Sequence, residues 1–299
     1  MLELKMMGFY HPNGLIPAWN QAIKFAGEGG RIATLPDIIE TRLNTQPYDT
    51  PWEKYFTTNT AEYVGYSKGG NKIIIIAHGV GPMSTLDGIL KAYSYEYDHQ
   101  NHRGGRISQK DFLDLESGKY GAVEIVDFFQ TIKGIKYPFL EIFNKESSLK
   151  NVLLKARLGK KYSDYISLHS RYAFDYHQKR DHQIIENPYI IEIGDANNCS
   201  YIYRSVEKGL AFAHLISIDA LANVYHSLSP IPSLVSNINC HEWSDGTRFV
   251  GIQKNAKLTN IYSGANAHHL LEKYWQELMV PVITPTLSKG LKKNNPLWQ

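Results

Sequence analysis

The stretch Lys72-Ile-Ile-Ile-Ile-Ala-His-Gly-Val-Gly-Pro-Met-Ser-Thr-Leu-Asp-Gly-Ile-Leu90 decides how this chain is first read. Four consecutive β-branched residues, Ile73 to Ile76, predict a strand buried on both faces, as in a central parallel strand. The strand runs into Gly79-Val80-Gly81, and Pro82 to Leu90 reads as the helix that follows. A strand–glycine–helix junction aims bare backbone N–H groups and the positive end of a helix at the space above a sheet. Polar or anionic ligands are held at such junctions. His78, Gly79, Gly81 and Ser84 are therefore the first candidate binding residues.

Working outward, Leu15 to Ala26 carries Ile16, Trp19, Ile23 and Phe25 near helical spacing and stops at Gly27–Gly30. Residues 2–10 and Arg31 to Thr34 read as strands, and Pro36 to Leu43 as a helix with proline in its first turn. Lys68-Gly-Gly-Asn71 is a hairpin-type turn between strands at Glu62–Tyr66 and Lys72–Ala77. Ser108 caps a short helix with Asp111 at its third position, and Ala122 to Asp127 is a further strand. Residues 138–186 read as a helical insertion. Beyond Pro188 the pattern turns to hairpins, and a helix over Ala265 to Met279 closes the fold. The expected architecture is α/β: a central mixed, largely parallel sheet flanked by helices, with an antiparallel β-rich C-terminal half. One domain would span 1–285, with a basic tail at 286–299.

The 299 residues are 43% hydrophobic, enough for a full core. The 32 Lys and Arg against 29 Asp and Glu leave a formal charge of +3 without a basic stripe, which disfavours nucleic-acid binding. Cys199 and Cys240 are the only cysteines, so a thiolate-rich zinc site is excluded by count. The first eight residues lack a signal peptide's features and no apolar run approaches bilayer length, so a soluble cytoplasmic protein is expected.

Glu62-Tyr-Val-Gly65, a Gly-Gly turn, a β-branched strand and then His-Gly-Val-Gly-Pro-Met-Ser84 resemble the early part of nucleoside phosphorylases and nucleosidases. Downstream, Ile218-Asp-Ala-Leu-Ala-Asn-Val-Tyr225 and Trp243-Ser-Asp245 resemble that superfamily's acidic sugar-binding helix and Ser-Asp pair. The resemblance implies hydrolysis or phosphorolysis of the N-glycosidic bond of a nucleoside or nucleotide. It makes Asp245 the candidate acid and gives Asp219 the ribose hydroxyls. The glycine turn and Arg106 would hold phosphate, the one co-substrate implied; no cofactor is required.

Cys240-His-Glu-Trp-Ser-Asp-Gly-Thr-Arg248 concentrates four ionisable groups beside a turn. His241 joins the catalytic candidates, and Glu242 and Arg248 the binding ones. Two alternatives stand beside the enzyme: a non-catalytic nucleotide-binding scaffold using the same pocket, and a metal-assisted hydrolase using His177, Asp181 and His182. The i, i+5 spacing of those histidines is poor for one helix face. His214, inside the apolar run Ala211–Ile216, reads as a core histidine. Assembly into a homo-oligomer stays open.

Overall fold

Ile73–Ile76 form the middle of strand β4 (Lys72–His78), and all four are buried. The computed structural model describes residues 5–12, 14–46, 49–94, 105–128, 149–168, 209–218 and 247–262, together with the backbone of 140–142 and 190–192. In chain order the earlier elements are β1 (Met6–His11), α1 (Leu15–Ala26), β2 (Arg31–Ile32), α2 (Leu35–Leu43), α3 (Thr50–Glu53) and β3 (Phe56–Tyr66). After β4 come α4 (Leu86–Tyr93), β5 (Gly105–Ser108), α5 (Gln109–Glu116), β6 (Glu124–Asp127) and β7 (Leu140–Ile142). The remainder are α6 (Val152–Leu158), β8 (Ile190–Glu192), β9 (Leu210–Ile218) and β10 (Thr247–Ile252).

A five-stranded sheet runs in the order β5-β9-β3-β4-β6, a three-stranded sheet in the order β1-β10-β2, and β7 pairs with β8. Every ladder between these strands is antiparallel, which overturns the expected largely parallel sheet. The physical reason lies in what covers β4. On one face Ile74 and Ile76 stand beside Val64 and Glu62 of β3 and pack with Ile38 and Ile39 of α2 and Leu153, Leu154 and Leu158 of α6. On the other, Ile75 stands beside Tyr63, with α5 packed against β3. An antiparallel strand with helices on both sides is as apolar as a parallel one.

Local chemistry places the helices. Thr34 caps α2 in a capping box with Asp37, and Ser108 caps α5 by accepting from the Asp111 N–H. The expected helical insertion holds only in part. Residues 152–158 and 162–168 are helical, but Leu140–Ile142 is a strand, paired antiparallel with Ile190–Glu192. Arg42 of α2, almost fully buried, donates through Nε to the Pro51 carbonyl and through Nη1 to the Tyr165 hydroxyl, tying α2 to α3 and to 162–168. The chain divides into two units, Met1–Gly264 and Ala265–Gln299. The second, with the expected terminal helix and basic tail, lies outside the described residues.

Candidate functional site

The start of α2 is a saturated frame. Asp37 Oδ2 accepts from the Thr34 N–H at 2.9 Å and the Thr34 hydroxyl at 2.8 Å, and Oδ1 accepts from Arg31 Nη2 at 2.6 Å. The β3–β9 register shifts between Thr57 and Ala61, so β3 carries two more residues than β9 across that interval. Bulges of this kind re-aim side chains next to sites. Here the Asn59 N–H donates to the Ala33 carbonyl, and the Asn59 carbonyl accepts from the Gly79 N–H.

His78, at the end of β4, is held at both ring nitrogens. Nε2 lies 3.0 Å from the Ala156 carbonyl of α6, which can only accept, so the bond assigns the proton to Nε2. Nδ1 then accepts from the Thr60 hydroxyl at 3.0 Å, while Thr60 Oγ1 accepts the Leu35 N–H at 2.8 Å. Burial lowers the His78 pKa, partly offset by the bond to Ala156 and by Glu124 and Asp37 nearby. The imidazole is neutral near pH 7 and links α2, the sheet and α6.

Beneath α6 lies a second polar group. Arg157 donates through Nε to Glu62 Oε2 at 2.7 Å and through Nη2 to Oε1 at 3.0 Å, with both side chains fully buried. His214 of β9, directly across from Glu62, places Nε2 3.7 Å from Oε1, and neither of its ring nitrogens has a hydrogen-bond partner among the described residues. Burial pushes its pKa down to about 4, against the opposing pull of Glu62. The core placement expected for His214 is found, without a hydrogen bond from its ring to any described residue.

These elements enclose a cleft of about 490 Å³, walled by α2, Asn59, His78, Gly79, Glu124 and residues 158–161. Its volume lies in the range usual for small-ligand pockets, about 300–1,000 Å³. Gly159 closes one corner against Pro36: a Cβ there would sit 2.9 Å from Pro36 Cγ. Glu40, Glu124, Lys160 and Lys161 also line the cleft, and no hydrogen bond or ion pair joins the side chain of any of them to another described residue.

Of the residues picked from sequence, His78 and Gly79 line this cleft. Gly81 and Ser84 are not among its lining residues; they sit in the turn after β4, where the Ser84 hydroxyl donates to the Gly81 carbonyl at 2.7 Å. Arg106, on β5, stacks over Phe212 at 3.5 Å. Arg248, on β10, lies between the rings of Tyr10 and Tyr55 at 5.3 and 5.5 Å. Asp219, His241, Glu242 and Asp245 lie outside the described residues, as do His177, Asp181 and His182. Among the described residues no three His, Cys, Asp or Glu gather as a metal site, and no helix is long and apolar enough to cross a membrane. Sequence reasoning passed over Thr60 and Arg157. Arg157 had a signal: it falls on the apolar stripe Leu153, Leu154, Leu158, where a charge needs a buried partner.

No family model and no curated protein matches the chain. A solved structure described as "Accommodation of massive sequence variation in Nanoarchaeota by the C-type lectin fold" aligns with 84% of this chain and 99% of its own, with TM-score 0.54 and 15% identity. That likeness and the antiparallel sheets overturn the resemblance to nucleoside phosphorylases and nucleosidases, and with it the Rossmann-like architecture. The assignment to N-glycosidic bond cleavage, with its hydrolase and glycosyltransferase readings and its alternatives, falls as well. The glycine turn that suggested it follows an antiparallel strand, and short glycine motifs recur at such turns for steric reasons alone. The chain has the C-type lectin fold.

Proposed function

We propose that this protein is a recognition protein that holds a small, hydroxyl-rich ligand such as a saccharide in the cleft beside α2 and α6, without transforming it. One observation carries this reading: the frame of the cleft is internally saturated, while the side-chain carboxylates and amines on its wall make no hydrogen bond or ion pair with another described residue. Asp37, Arg31, Thr34 and His78 bond to one another or to backbone, so the wall is pre-organised. The side chains of Glu40, Glu124, Lys160 and Lys161 make no hydrogen bond or ion pair with another described residue. Together they present acceptors and donors of both signs, which suits hydroxyls that donate and accept at once. Ile32, Pro36 and Leu158 supply apolar surface for ring carbons. The lectin fold of the solved structure supports the same ligand class, and the sequence variation described for that protein fits a scaffold whose recognition surface is free to change.

Calorimetric titration of the full chain with a panel of mono- and oligosaccharides tests this. At least one member should bind, with affinity falling tenfold or more in Glu40→Ala or Lys160→Ala, and the ligand should be recovered unchanged. Absence of binding across the panel, or affinity indifferent to both substitutions, would overturn the reading.

A further inference from the structure

Among the described residues the wall of the cleft carries charge of both signs in equal number. Arg31, Lys160 and Lys161 supply three cations and Asp37, Glu40 and Glu124 three carboxylates, while burial keeps the His78 ring neutral near pH 7. Arg31 and Asp37 cancel each other through their 2.6 Å contact. The other four charges come from three separate places: Glu40 from α2, Glu124 from the first position of β6, and the two lysines from the turn after α6. No ion pair joins the side chain of any of these four to another described residue.

Their separation is built into the frame. Glu40 lies about one turn beyond Asp37 on α2, a helix fixed at its start by the capping box and by the bond from the Leu35 N–H to Thr60. Glu124 is placed by strand register, paired with Ile76 on β4, and is close enough to His78 for its charge to act on that ring. Gly159, with φ 76°, stops α6 and lies against Pro36, so Lys160 and Lys161 start where the helix ends.

We propose that the ligand held in this cleft is a zwitterionic sugar, one that carries both an ammonium and a carboxylate. This rests on the recognition reading above and narrows it to a chemical class. A ligand that enters strips water from charges of both signs, and desolvated charges left without partners are costly. A neutral sugar offers them only dipoles. A sugar acid suits the lysines but brings its carboxylate beside Glu40 and Glu124. An amino sugar suits those carboxylates but brings its ammonium beside the lysines. A ligand with both charges gives each sign a partner, and like-charge juxtaposition disfavours the other classes.

Four sugars separate these contributions: glucose, glucosamine, glucuronate and muramic acid carry no charge, an ammonium, a carboxylate, and both. In calorimetric titration of the full chain at pH 7 and low salt, muramic acid should bind about tenfold or more tighter than each of the other three. Raising the salt should shrink that advantage. Glu40→Gln combined with Glu124→Gln should abolish the advantage of muramic acid over glucuronate and keep its advantage over glucosamine. Lys160→Gln combined with Lys161→Gln should do the reverse. All four side chains are exposed or half-buried, so these variants leave the core intact. Equal affinity for muramic acid and any of the other three sugars would overturn the proposal and leave sugar recognition standing. Advantages that survive both pairs of substitutions would overturn it as well. Failure of muramic acid to bind sinks the zwitterion by itself, whereas the recognition reading falls only with silence across the wider saccharide panel.

Discussion

At the scale of single residues, the molecule's polar chemistry is buried more than displayed. His214 illustrates the energetic sign. Its folded pKa, about 4, lies below the ordinary value of 6.5. Between those limits the unfolded chain binds the proton and the folded chain does not, so stability falls as pH drops through that window. Above pH 6.5 both states are neutral and the contribution is flat. Urea unfolding should therefore show a loss of about 3 kcal/mol from this group between pH 7 and pH 4. His214→Gln should flatten that part of the profile, and an unchanged profile would refute the assignment. Part of this was legible in the sequence. An apolar run around His214 announces the burial that lowers its pKa, but the carboxylate that opposes the shift, Glu62, is 152 positions away and meets it only through strand register.

At the scale of elements, the turn after β4 is a packing device. Gly81 has φ 93°, and a Cβ there would lie 2.8 Å from Leu115 Cδ2 and 3.2 Å from the Tyr63 hydroxyl. That hydroxyl accepts the Met83 N–H, so Tyr63 and Leu115 fix the turn from two sides. Gly81→Val adds a β-branched side chain in a left-handed conformation and overfills this corner. It should cost about 2 to 4 kcal/mol in chemical denaturation, well beyond a moderate loss. A variant of near-normal stability would show that the turn can rearrange. The same blindness to neighbours affected α1. Its span Leu15–Ala26 was readable from spacing, but Ile23 is exposed while Ala18 and Ala22 are buried. The small residues face β10 because the backbone of Gly251 lies against the Ala22 carbonyl, a contact any Cβ would block. Apolar periodicity marks large side chains; it misses interfaces where backbones touch.

At the scale of the whole molecule, the sequence-based reading misassigned the sheet because local runs record only how deeply a strand is buried. Ile73–Ile76 would look the same in a parallel or an antiparallel sheet, and the choice rests on the strands beside them, β3 across the tight Lys68–Asn71 turn and β6 on the other edge, both antiparallel to β4. Long sequence separation governs the ends of the described fold instead. β1 pairs with β10 from Met6–Ile252 to His11–Thr247, and β10 in turn holds β2. Met6, Met7 and Phe9 are buried through that pairing. Deleting residues 1–12 should therefore expose one edge of β10 and abolish cooperative thermal unfolding followed by circular dichroism. A truncated chain with a sharp transition would show that β1 is dispensable.

That pairing also imposes a waiting time. During synthesis at about 5–20 residues per second, β1 emerges roughly 12 to 50 seconds before the strand that completes it. For that interval Met6, Met7 and Phe9 face solvent with a free strand edge, in a chain that already carries the isoleucine run of β4. The nascent protein is at its most adhesive just before it is finished, and its yield depends on what shields its first strand until the last described one arrives.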